Sequence, residues 1–179
     1  MSLDRPVEEQ LIAILPRLRR FARALTDSAE EADDLLQDAL ERGLSRLEQW
    51  QPGTRLDSWM YRIIQTVRLG QLRSPERRKR GEMPPDDQIK GVDGVREAEA
   101  RALLQEVRRA FEKLPDEQRA VLVLVCVDGL AYREAAEIMG IPIGTVMSRL
   151  ARARLELHRL VGEPGEDSVV RGIGFGKGS

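Results

Sequence analysis

The sequence predicts an all-α protein built as two small helical domains. Apolar residues recur at three- and four-residue intervals from residue 7 to 73 and again from 97 to 162. Between them, residues 74–96 lose that period and fill with proline, glycine and charge, the composition of a flexible linker. No sustained alternation of period two marks a strand, and no internal repeat is visible. The expected organisation is a first domain over 1–73, a linker over 74–96, a second domain over 97–162, and a disordered tail over 163–179 that ends RGIGFGKGS.

The first helix is expected from Val7 to Leu25, with Leu11, Leu15, Leu18, Ala22 and Leu25 on one face. Pro16 interrupts it and predicts a kink or a fresh start there. Ser28 and Glu31 stand three apart, the spacing of a capping box for the second helix. That helix has Ala32, Leu35, Leu36, Ala39, Leu40, Leu44 and Leu47 inside. Its outer face carries Glu30, Asp34, Gln37, Asp38 and Glu41. Pro52 and Gly53 make a turn. The third helix buries Leu56, Met60, Ile63, Ile64 and Val67, with Trp59 in phase with them. Gly70 weakens it by about 1 kcal/mol relative to alanine, which predicts an early end or a bend. The second domain is expected as helices over 97–113, 115–127, 131–139 and 143–161. Pro115 followed by Asp116 and Glu117 suits a helix start.

The last two of these helices, from Leu130 to Arg154, carry the most specific signal. Ala135 and Ala136 allow close approach of a second helix. Gly140 suits a left-handed stop, Ile141 plugs the turn, and Pro142 loses no donor at a helix start. In the second helix Val146, Leu150, Ala153 and Leu157 form an apolar stripe. Thr145, Ser148, Arg149 and Arg152 form a polar stripe roughly 120° away. One face packs and the other stays available for base edges and phosphates, as a helix-turn-helix requires. A helical hairpin with a solvated basic face has the same period. The glycine turn, the alanine pair and the two-faced helix together favour the DNA reading.

Composition narrows the remaining choices. The formal net charge is only −1, but it is unevenly placed. Residues 26–41 hold seven acids and no base, and residues 51–80 hold eight bases against two acids. That pattern suits one basic and one acidic partner. The single cysteine, Cys126, sits in an apolar run and reads as a buried core residue. It allows no disulfide within the chain and no cysteine-based metal site. Absence of disulfides fits a reducing cytoplasm. No stretch approaches a membrane span, and the N-terminal residues do not read as a signal peptide. Catalytic chemistry is not visible. The lone histidine, His158, reads as an exposed or capping residue, and the tail glycines have no Gly-Lys-Ser/Thr. Asp33, Asp34 and Asp38 on a regular helix read as a solvated or protein-binding face rather than a cation site. No cofactor, metal or small-molecule substrate is expected.

Four segments in order resemble the extracytoplasmic-function (group IV) bacterial sigma factors: AEEADDLLQDALERGL (29–44), PGTRLDSWMYRII (52–64), LPDEQRAVLVL (114–124) and GIPIGTVMSRLARAR (140–154). The resemblance covers nearly all of residues 7–161. It implies a first domain that binds the β′ clamp of core RNA polymerase and the −10 element, and a second that binds the −35 element and the β flap. Carried onto this chain, it implies core-polymerase contacts from Asp33, Asp34, Gln37, Asp38 and Glu41. It implies −10 or melting contacts from Trp59, Tyr61, Arg62, Thr66, Arg68 and Arg73. It implies −35 contacts from Thr145, Ser148, Arg149, Arg152 and Arg154.

Three places depart from the family pattern. Gln65 and Thr66 stand where Arg-Asn is common, Gly70 and Gln71 where Asp-Arg is common, and Met147 where a basic residue is common. The resemblance also implies control by a membrane-bound or soluble anti-sigma factor, with no membrane insertion by this chain. Arg77, Arg78, Lys79 and Arg80 either track DNA or polymerase or are solvated linker. Two other classes remain. One is a conventional helix-turn-helix repressor or activator, which leaves the acidic and basic helices of the first domain unexplained. The other is a nucleic-acid-processing enzyme, for which neither a metal cluster nor a nucleophile–base pair is visible.

Overall fold

The computed structural model describes residues 5–73 and 95–161. The first group of helices is α1 (Arg5–Ala24), α2 (Ala29–Leu44) and α3 (Leu56–Arg73), with a 3-10 turn at Leu47–Gln49. The second is α4 (Val95–Glu112), α5 (Asp116–Leu122), α6 (Tyr132–Met139) and α7 (Ile143–Val161). A π-helical turn over Val123–Val127 continues α5. Among the described residues there is no strand. Most of the expected linker and all of the expected tail, with Arg77, Arg78, Lys79 and Arg80, lie outside the described residues. Val95 and Arg96 already belong to α4.

Local chemistry accounts for several helix ends. The Ser28 hydroxyl accepts from the Glu31 amide at 3.1 Å, so α2 begins one residue later, at Ala29. Gly140 closes α6 with φ 65°, the left-handed stop expected of it. Gly53 turns the chain into α3 with φ 89°. Two expectations yield to packing. α1 runs without a break through Pro16, and α3 runs past Gly70 to Arg73. Each helix lays a long apolar face on its neighbours, and that burial outweighs one missing hydrogen bond or one glycine.

α1, α2 and α3 pack pairwise around Leu18, Phe21, Leu35, Met60 and Ile64, all at most 2% exposed. α2 and α3 meet at buried Gly43, where a Cβ would lie 2.8 Å from Met60 Sδ. In the second group α5, α6 and α7 close around Val121, Leu124, Ala135, Val146 and Leu150. The two groups do not stand apart. Their buried apolar residues form one continuous cluster, with α6 on α3 and with α5 and the π turn on α1.

Two polar clasps fix this junction. Asp128, directly after the π turn, has a side chain with no exposed surface. Its carboxylate accepts from Arg20 at 2.8 Å and from the Tyr61 hydroxyl at 2.7 Å, and its carbonyl accepts from Arg17 at 2.9 Å. Burial, then the bond to Asp128, pushes the Tyr61 phenol well above its ordinary range, so it remains a neutral donor. The second clasp is Arg119, 5% exposed. Its guanidinium donates to the carbonyls of Ala24 and Thr26 in the first group and of Glu112 and Leu114 in the second. It also meets Asp27 and Asp116. Buried charges are tolerable only when satisfied this fully.

Two predictions concern the buried carboxylates and the groups that hold them. Tyr61→Phe keeps the edge-to-face packing on Phe21 and removes one bond to a charged acceptor. It is expected to cost about 1–2 kcal/mol in urea unfolding. Asp128→Ala strips three donors of their acceptor side chain or its geometry and is expected to cost more, about 2–4 kcal/mol. Equal costs would deny Asp128 its role as the hub. The other prediction concerns Asp57, which bonds Arg17 and Arg55. Burial raises its pKa, but the Arg55 bond, the Ser58 amide and the two arginine charges outweigh burial and hold it below the ordinary 3.8. Its stabilisation is therefore complete above that ordinary value and is lost as pH falls through the lower, folded value. Thermal stability between about pH 5 and pH 3 should fall less steeply for Asp57→Asn than for the natural chain.

Candidate nucleic-acid interface

α7 presents the face that the periodicity predicts. Val146, Leu150 and Ala153 are buried against α5 and α6, which turns Ser148 and Arg152 outward. Ser148 donates to the Thr145 carbonyl at 3.1 Å, and Arg152 reaches the Ser148 hydroxyl at 3.4 Å. Thr145 is half-buried at the edge of this face. Arg149 is drawn inward: its side chain is 17% exposed and pairs with Glu117 of α5. Arg154 is half-buried, with its guanidinium at 3.5 Å from Cys126 Sγ. Cys126 itself is only partly buried, at the edge of the core rather than within it. His158 is exposed in the last turns of α7.

α3 carries the second set. Arg62, Thr66 and Arg73 are exposed, and Thr66 donates back to the Arg62 carbonyl at 2.7 Å. Tyr61 is fully buried against Phe21 and Asp128, so its ring presents no surface in this arrangement. Trp59 is partly buried and packs on the core. Arg68 lies along the junction with its side chain 14% exposed, paired with Asp116 at 3.5 Å. Its Nε is buried without a hydrogen-bond partner, as is Oε1 of neighbouring Gln65.

An open cleft of about 460 Å³ lies where the 49–55 loop and α3 face α6. Gln49, Gln51, Ser58 and Trp59 line one side, and Glu134 and Glu137 of α6 line the other. The acids are not idle. Glu137 pairs with Arg62 at 2.8 Å, and Glu134 pairs with Arg55 at 3.3 Å. The hydrogen bond to Asp57, with the nearby acids, raises the Arg55 pKa further above its ordinary value. The basic face of α3 is thus partly covered by carboxylates of the helix-turn-helix. Sequence reasoning did not single out Arg55, Glu134 or Glu137. Arg55 had a signal in its place directly ahead of α3, but its partner on α6, Glu134, lies 79 residues away.

α2 supplies the opposite charge. Asp33, Asp34, Gln37, Asp38 and Glu41 are all exposed. Asp33 takes two bonds from Arg19, at 2.9 Å each, Gln37 donates to Glu41, and Asp38 accepts from Gln71. The described residues include no cluster of histidine, cysteine or acid able to hold a metal. No helix among them is long and apolar enough to cross a membrane.

Comparison with known proteins places this arrangement. The family model for sigma-70 region 4 matches residues 104–157, and that for the Sigma2 domain of PhyR matches residues 11–65. The ECF RNA polymerase sigma factor EcfG of Rhodopseudomonas palustris is 35% identical over 185 residues, covering 99% of this chain and 100% of the relative. SigM of Mycobacterium tuberculosis, also an ECF sigma factor, is 34% identical over 82% of this chain and 72% of its own. Among solved structures, the sigma factor RpoE of Bartonella quintana, in complex with the anti-sigma factor NepR, superposes with a TM-score of 0.73. It is 27% identical and covers 88% of this chain and 98% of its own. The chain belongs to the ECF RNA polymerase sigma factors, the subunits that direct promoter-specific transcription initiation.

Proposed function

We propose that α2 docks core RNA polymerase, that α3 with the 49–55 loop engages the −10 element, and that α7 reads the −35 element. The observation that carries this reading is the separation of charge onto three helices. The exposed acids of α2 suit the β′ clamp, through charge-assisted bonds and steered association. The arginines of α3 suit phosphates, and Trp59 at the cleft suits stacking with an unpaired base. Ser148 and Arg152 on α7 suit base edges and phosphates of a duplex. The second domain is also assigned the contact with the β flap. The work is placed in the cytoplasm, where core polymerase and promoter DNA are.

The closed junction supports regulation by an anti-sigma factor. Arg55, Arg62 and Arg68 are paired with Glu134, Glu137 and Asp116 across it, so the α3 face is free for DNA only once the two domains part. A partner that holds the domains together keeps the subunit silent. The RpoE chain that this one resembles along both domains was captured with NepR. A conventional repressor gains nothing from this device, because its DNA-reading helix needs no second domain to be uncovered.

Run-off transcription with core polymerase on a pool of host promoters tests the assignment. Specific transcripts are expected only when chain and core are both present. Core binding without any specific transcript would refute it. Asp34→Lys with Asp38→Lys is expected to weaken core binding at least tenfold while leaving binding to −35 duplex unchanged. Glu134→Gln with Glu137→Gln removes two exposed pairs worth about 1 kcal/mol together, a roughly fivefold shift toward separated domains. Amide hydrogen exchange at the buried α3–α6 junction should quicken by about that factor, and unchanged exchange there would exclude these pairs from the closure.

A further inference from the structure

Two large apolar side chains stand at the start of α7 with no place in the core. Ile143 is 48% exposed and Met147, one turn on, is 53% exposed. The core positions of the same turns are taken by Val146 and Leu150, each at most 2% exposed. Met147 is next to Ser148 in sequence and borders the polar face around the helix axis. Residues 143–155 hold three arginines and no acid, a charge that complements a phosphate backbone. In a helix-turn-helix the first turns of the recognition helix reach the base edges.

The reading groups available there are few. Arg149 is tied inward to Glu117, which leaves Ser148 and Arg152 as the exposed polar pair. Beside them lies a thioether that can neither donate to a base nor neutralise a phosphate. The major-groove edge offers one apolar group, the 5-methyl of thymine. An unbranched, polarizable methionine adapts to such a contact without requiring a fixed geometry.

We propose that Met147, backed by Ile143, reads the methyl group of a thymine in the −35 element and so sets part of this sigma factor's promoter preference. This rests on α7 being the −35 reader. A solvated methionine has no reason to distinguish thymine from uracil, whereas a methyl contact does. The stake is roughly threefold to fivefold in affinity, the worth of one methyl group removed from water.

The test uses the full chain with core polymerase. Preferred −35 sequences are first selected from a randomised pool, and each thymine is then replaced singly by uracil, which deletes only the methyl. For the natural chain, one such replacement is expected to lower promoter occupancy threefold to fivefold. Met147→Ala should bind the thymine template about as weakly as the natural chain binds the uracil one, and should not distinguish the two. Met147→Leu should retain the discrimination. Indifference of the natural chain to every replacement overturns the proposal, as does equal discrimination by Met147→Ala. Uniform weakening of Met147→Ala on all templates, without methyl dependence, overturns it in favour of a protein-docking role for this patch. Loss of footprint protection over the −35 element by the natural chain has a different meaning: α7 is then not the −35 reader, and the wider assignment fails with it.

Discussion

The buried carboxylate of Asp128 joins the two halves of this molecule. An acid with no exposed surface is costly unless its lone pairs are filled, and here they are filled by the other domain. Arg20 comes from α1 and Tyr61 from α3, so one side chain ties the start of the helix-turn-helix to two helices of the first domain. Arg119 does the converse, sending one guanidinium to carbonyls of both domains. Each clasp is satisfied only while the domains remain docked. Separation has to re-solvate both groups, which makes the junction specific in geometry and also reversible where water can take over the bonds.

That junction decides what the charged helix faces present. By holding α6 over α3 it sets Glu134 and Glu137 opposite Arg55 and Arg62, carboxylates against the arginines proposed to meet phosphates. The acidic face of α2 takes no part in these pairings and stays exposed. α7 likewise keeps its outer face. The closed molecule therefore presents the α2 acids proposed to meet polymerase and the α7 face proposed to read the −35 element, while partly covering the basic helix proposed for the −10 element. Surface ion pairs of this kind are individually weak. The closure depends on the apolar cluster and the two clasps, with the carboxylates supplying register and masking.

The helix-turn-helix was legible because its signals are local. Gly140, Pro142 and the Val146–Leu150–Ala153 stripe act within one or two turns, and α7 lies over the expected residues. The acidic face of α2 was legible for the same reason, since residues three and four apart on a helix share a side. The fates of Tyr61, Arg68 and Arg149 were not legible. Each looked like an available aromatic or basic group, and each is held by a partner on another helix: Asp128, Asp116 and Glu117. Pro16 and Gly70 misled in the other direction. Local rules marked breaks that the packing of α1 and α3 overrides.

The sequence by itself determined the helical class, the position of the recognition helix and the division of charge between α2 and α3. These follow from period, caps and composition, which are properties of neighbours in the chain. Only the tertiary structure decided which charged groups are free and which are spent. Arg62 finds Glu137 across 75 residues, and Arg68 finds Asp116 across 48. No local pattern encodes such pairs, because they exist only when two separately patterned domains bury their remaining apolar faces against each other.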